Sequence, residues 1–333
     1  MDKISYYREI FRDVVNGYSE VELDDNTFFV KHLSVLDQVD IDKIQRRFYE
    51  SAIKRGIPTE SEVLSALNKD NIWTEKDEKE IDRLEDFIES LIKNKSQIVL
   101  KSKLDQQNKS IQQTRKKINE LQNKRNELIG VCAETYAAKR SNDHYVIKSF
   151  YNDRELKSAV FPDEKEFDEL YSEDIAKFIQ VYNNTFEMFE ELKIQEMILQ
   201  DFYYIYFPFS DDTVGFFGNP VCHLTYNQLK LIVYTKIFKG IFEQNQNIPD
   251  NIKKDPQALL DYGSVSEEAK QKVRDQIEKG QDGATLFNAT DEDYEYAGLK
   301  KPSDTVKNSL HQAALKKGGS LSMQDLMELS GHK

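Results

Sequence analysis

Residue types capable of chemistry are present in this chain but dispersed. The histidines are His32, His144, His223, His311 and His332, and no two have the spacing that sets a pair of metal ligands on one element. Cys222-His223 is the only cysteine–histidine neighbour pair. Adjacent residues on a helix or strand point in different directions, so these two do not form a thiol nucleophile with its base. The expectation is a buried loop cysteine. The acidic pairs Asp40/Asp42 and Asp291/Asp293 are the kind that could touch a divalent ion, but 59 acidic residues generate such pairs by chance. There is no glycine-rich phosphate loop, no His-Glu-x-x-His and no Gly-x-Ser-x-Gly elbow. The reading is a non-catalytic chain with no cofactor and no metal. An enzyme with an unrecognised site around Gly215 to His223 is the alternative.

One cluster of charge stands out. Residues 101–125 carry Lys101, Lys103, Lys109, Arg115, Lys116, Lys117, Lys124 and Arg125 against only Asp105 and Glu120. The same residues fit a patch for an acidic partner, or a solvated helix face paired with the acidic stretch Glu75 to Glu89. The opposite signs of the two stretches favour pairing. The formal net charge is −13, a field that repels phosphate backbones and argues against general nucleic-acid binding.

The elements that would position these groups are mostly helical. Residues 2–15 read as a helix stopped by Gly17, followed by a hairpin in which Asp24-Asp25-Asn26 turns between Val21–Leu23 and Phe28–Val30. From Leu36 to Arg55, Ile41, Ile44, Phe48 and Ala52 share a stripe that ends at Gly56. Thr59 and Glu62 have capping-box spacing. No Gly or Pro interrupts Thr59 to Ile129. Ile81, Leu84, Ile88, Leu91 and Ile98 follow one heptad seam; Leu104, Ile111 and Ile118, with Thr114, Leu121 and Leu128, follow another. The two registers do not join, which predicts two antiparallel helices meeting near 101–110. Tyr145 to Phe150 reads as a short strand. Ile175, Phe178, Ile179, Tyr182, Phe186, Phe189 and Leu192 line a broad apolar face, and residues 211–220 read as a compact loop. Thr225 caps a helix whose Leu229, Ile232 and Ile237 are expected to meet Phe178, Tyr182, Phe186 and Phe189 in the core.

These pieces define a mainly α fold: a helical body, a long antiparallel coiled-coil hairpin, a small N-terminal β-hairpin and an extended C-terminal tail. The expected divisions are an α+β region at 1–72, the hairpin at 73–140, an aromatic-rich helical body at 141–263 and an acidic tail with short amphipathic helices at 264–333. The first residues lack the apolar run of a signal peptide, and stretches such as Leu229 to Tyr234 are too short to span a bilayer. With only two cysteines, 90 positions apart, the expectation is a cytoplasmic protein without a membrane partner.

Phe216-Phe217-Gly218-Asn219-Pro220-Val221 and Leu224-Thr225-Tyr226-Asn227-Gln228-Leu229, with Ile248-Pro249-Asp250-Asn251-Ile252 and Asp255-Pro256-Gln257-Ala258-Leu259-Leu260, carry a resemblance. Over roughly 160–262 the chain resembles tail-assembly chaperones and baseplate-hub assembly proteins of large contractile-tailed bacteriophages. That resemblance implies a non-catalytic role in tail morphogenesis, as an assembly factor or a virion component bound to tail or baseplate subunits. A bacterial adaptor or a phage-defence component is the other binding-protein reading. At the C-terminus, Met323, Leu326, Met327 and Leu329 form a small apolar stripe on a helix too short to stand alone. Those four residues are the candidate partner-binding positions.

Overall fold

A computed structural model describes residues 2–162, 166, 169–245 and 248–265. Met323, Leu326, Met327 and Leu329 lie outside the described residues. The chain divides into two compact units, one of Met1–Leu91 with Ile111–Gly263 and one of Ile92–Ser110 with Ser264–Lys333.

Helix α1 (Lys3–Asn16) is capped by Asp2, whose carboxylate accepts from the Ser5 amide. It stops at Gly17, where φ is +74°, a left-handed conformation in which glycine carries no Cβ penalty. Strands β1 (Tyr18–Leu23) and β2 (Asn26–Lys31) pair antiparallel, with Leu23 opposite Asn26. Asp24 and Asp25 both take positive φ, as the tightest hairpin turn requires. Strand β3 (Phe150–Tyr151) adds to the free edge of β2, giving the order β1-β2-β3. The strand expected at Tyr145–Phe150 is mostly helix instead. α6 (Ala133–Lys148) runs through Tyr145, because Val146 and Ile147 bury from a helical face.

Helix α2 (Val35–Lys54) lies antiparallel along α6. Arg55 Nη1 donates to the Tyr136 hydroxyl at one end, and Arg140 sits over the Phe48 ring at 5.5 Å further along. Between them come α3 (Glu60–Lys69), α4 (Glu75–Asn94) and α5 (Lys101–Ile129). A break between the heptad registers is present but earlier than the 101–110 expected: one 3-10 turn at Lys95–Gln97 and non-helical residues 98–100 separate α4 from α5, and 101–110 are the first turns of α5. In the first unit, Ile81 and Leu84 of α4 pack with Ile118 of α5 and with Trp73, and Leu64 and Leu67 of α3 cover the same seam. Charge follows the expected pairing. Lys117 Nζ is 2.9 Å from Glu80, and Arg125 bridges Glu78 at 2.7 Å and Glu60 at 2.6 Å. Lys124 lies over the Trp73 ring.

The body is completed by α7 (Ser172–Glu187), α8 (Glu191–Ile198), a 3-10 segment at Asp201–Asp211, α9 (Thr213–Phe217), α10 (Tyr226–Gln244), α11 (Asp250–Lys253) and α12 (Pro256–Ser264). Along β2, Phe28 and Val30 face the same way, and His32 continues that face. It meets Phe150, Phe178 and Phe186, with rings edge-on to one another at 5.0–5.9 Å. The expected union of this cluster with α10 is only partly present. Ile237 is 39% exposed, because α10 turns Leu231, Thr235 and Phe238 inward instead. Residues 211–220 hold a helical turn, α9, which Asp212 caps and Gly218 ends with φ +69°.

Candidate protein-binding surface

A buried trio invites a catalytic reading first. Ser19 Oγ lies 2.9 Å from His32 Nε2, and Asp13 is next to this pair at 4% exposure. The order is wrong for a triad, since the carboxylate engages Arg12 at 2.8 Å and not the imidazole. His32 is fully buried between Phe186 and Phe189, its Nδ1 has no hydrogen-bond partner, and burial pushes its pKa down to about 3. Burial also raises the Asp13 carboxyl, against the opposing pull of Arg12. A neutral imidazole sealed among aromatic rings joins the end of β2 to α7; no substrate atom reaches it.

The segment around Gly215 to His223, the alternative enzyme site, lies on the surface. Cys222 is exposed, not buried as expected, because it sits on a one-turn 3-10 helix (Val221–His223) that projects beside the start of α10. His223 is exposed with it. Among the described residues, no group of three or more His, Cys, Asp or Glu side chains is placed so that it could hold a metal ion.

What this region does assemble is apolar. Two helices begin at one point. Ser34 caps α2, its hydroxyl accepting from the Asp37 amide while Asp37 Oδ2 accepts from the Ser34 amide at 3.0 Å. Thr225 caps α10 in the same way with Gln228. The caps themselves are joined: Ser34 and Thr225 form an antiparallel bridge, and the Tyr226 amide donates to the Leu33 carbonyl at 2.9 Å. The Gln228 side chain then ties the junction to the Val15 carbonyl of α1. The residues just beyond each cap are left outside. Val35, Leu36 and Val39 are 42–47% exposed, and Val221 and Tyr226 beside them are 49% and 38% exposed. Single exposed apolar side chains are ordinary on any surface, whereas five large ones gathered by a bridged backbone form a patch of the kind partners cover.

Sequence reasoning missed this surface for a physical reason. The apolar stripe read along α2 runs through Ile41, Ile44, Phe48 and Ala52, and Val35, Leu36 and Val39 lie off it; only the bridge to Thr225 brings them beside Val221 and Tyr226. Among the described residues, no helix is long and apolar enough to cross a membrane. No family model matches the chain, and no curated protein and no solved structure matches it either.

Proposed function

We propose that this chain is a non-catalytic protein-binding protein whose docking surface is the apolar patch Val35, Leu36, Val39, Val221 and Tyr226. The carrying observation is that capped, hydrogen-bonded backbone holds five large apolar side chains in solvent at the junction of α2 and α10. A surface this ordered is preorganised, so a partner gains apolar burial without first ordering the loop. The buried Asp13–Ser19–His32 trio and the outward Cys222 offer no competing catalytic arrangement. The resemblance carried by Phe216–Val221 and Leu224–Leu229 includes two of the patch residues, and it supplies the setting: assembly of a contractile phage tail or baseplate.

Affinity capture with the full chain from the cells that express it, compared with the Leu36→Asp/Val221→Asp variant, tests the reading. The expected result is a defined protein retained by the unchanged chain and lost by the variant, with equal melting temperatures. The same proteins retained by both would remove this surface from consideration. Mass spectrometry of purified phage particles tests the setting, since a virion component is found in them and a transient assembly factor is not.

A further inference from the structure

Two edges bound the three-stranded sheet, and the chain closes one of them itself. Beyond β3, Tyr151 bridges Ala159, the Asn152 amide donates to the Ser158 carbonyl at 2.8 Å and the Val160 amide to the Phe150 carbonyl at 2.9 Å. At the other side β1 pairs with β2 alone. The two-residue turn makes Leu23 and Asn26 a hydrogen-bonded pair. The backbone of Leu23, Val21 and Ser19 therefore points into the sheet, and that of Glu22, Glu20 and Tyr18 points away from it. The end of β2 fits this alternation: the His32 amide turns to the Gly17 carbonyl on the β1 side, and the Lys31 amide to Ser149 on the β3 side. Among the described residues, the main-chain N–H and C=O groups of Glu20 and Glu22 have no hydrogen-bond partner.

An unpaired row of this kind is a template for one more strand. It calls for an extended backbone with free N–H and C=O groups, which a helix or a nucleic acid does not present. The side chains beside it narrow the choice. Glu20 and Glu22 are exposed on the face away from the core, while Val21 packs half-buried with the Phe150 cluster. Glu22 makes no ion pair among the described residues. Glu20 lies 3.0 Å from Arg154, with both side chains well into water, where such a pair holds weakly. A second copy of this edge is an unfavourable occupant. Antiparallel pairing about Val21 sets Glu20 against the copy's Glu22 and Glu22 against its Glu20; pairing about either glutamate sets it against itself. The net charge of −13 adds to that repulsion.

We propose that β1 accepts an extended segment of a partner protein as a fourth strand, with Lys or Arg of that segment opposite Glu20 and Glu22. Main-chain bonds supply the affinity, and alternating cations set the register. The Glu20 carboxylate has acceptor sites for such a residue as well as for Arg154. No residue of the apolar patch takes part, so the two surfaces stand or fall separately.

The test uses the full chain and a fluorescein-labelled Lys-Val-Lys-Val-Lys-Val peptide, with binding read by anisotropy and amide hydrogen exchange read residue by residue. In the free chain the Glu20 and Glu22 amides should exchange much faster than those of Val21 and Leu23, and saturating peptide should slow them about tenfold or more. The same peptide N-methylated at its lysines keeps the charge but loses the donors that would face Glu20 and Glu22. It should bind about tenfold more weakly. Glu22→Lys should weaken the unmodified peptide about fivefold, whereas Glu120→Lys, the same charge change on the exposed face of α5, should leave it within about twofold. Equal binding of the two peptides, or equal loss in the two variants, would reduce the contact to bulk charge and overturn the proposal. Absence of binding, or Glu20 and Glu22 amides left unprotected by saturating peptide, would overturn it as well. Protection of those amides that rises with the concentration of the chain alone would overturn it in favour of self-pairing.

Discussion

In the hairpin arms burial follows one narrow stripe: Ile81 and Leu84 meet Ile118, with Ile88, Leu121 and Leu128 half-buried along the same seam. Around the three-stranded sheet it follows no stripe at all. Phe150, at 0% exposure, is reached from β2, from α6 and from three turns of α7, with aromatic rings meeting edge to face. Heptad burial repeats, so each residue carries a modest share and its loss is felt along the helix. Burial by convergence concentrates many contacts on a few side chains, and its loss is felt everywhere. The two regions should therefore respond differently to the same kind of damage.

The sharpest comparison is truncation in each. Phe150→Ala should cost about 3–5 kcal/mol and lower the melting of the whole first unit, because the cavity is walled by the sheet and α7. Ile118→Ala should cost about 2 kcal/mol and raise hydrogen exchange chiefly across 75–91 and 111–129. Equal global effects would mean that hairpin and body unfold as one, and the contrast would be gone.

A second comparison uses protons. Burial holds His32 at about 3, below its ordinary 6.5, so the folded state keeps the ring neutral while the unfolded chain takes up a proton. The stability this site contributes is complete above about pH 6.5. It is lost as pH falls toward 3, at up to about 1.4 kcal/mol per pH unit. Denaturant titrations at pH 7 and 5 should show this slope in the unchanged chain and a flatter one in His32→Gln, which does not titrate. A slope that survives the substitution would place the acid sensitivity elsewhere.

The smallest effects belong to the hairpin's charges. Arg125, 18% exposed, accommodates both Glu60 and Glu78, and Arg125→Ala should cost about 1 kcal/mol. Lys117→Ala breaks one exposed pair with Glu80 and should cost under about 0.5 kcal/mol, vanishing in high salt. If Lys117 matters as much as Arg125, the arms are held by charge more than by their seam.

The hairpin was legible in the sequence because heptad periodicity is local, and so is a register mismatch. Gly17, Gly56 and the Thr59–Glu62 box were legible for the same reason: each acts within one turn of itself. What was hidden depends on neighbours far along the chain. Cys222 reads as buried until the turn bearing it is seen to project, and Ile237 reads as core until Thr235 is found bonded to the Tyr203 hydroxyl at 2.8 Å. The apolar patch is hidden likewise, its two halves meeting through one backbone bridge.

That bridge also has a consequence in time. The Gln228 amide reaches back 213 positions to the Val15 carbonyl, and the Tyr7 hydroxyl reaches 189 positions forward to Glu196. A ribosome makes α1 well before α8 and α10, against which α1 packs and which emerge only after most of the body has been synthesised. Until then Tyr7, Ile10 and Val14 have no lasting cover, although the β1–β2 turn beside them can close early. The packing of α1 is therefore completed by contacts of long sequence separation, the kind that form late and leave apolar surface uncovered meanwhile.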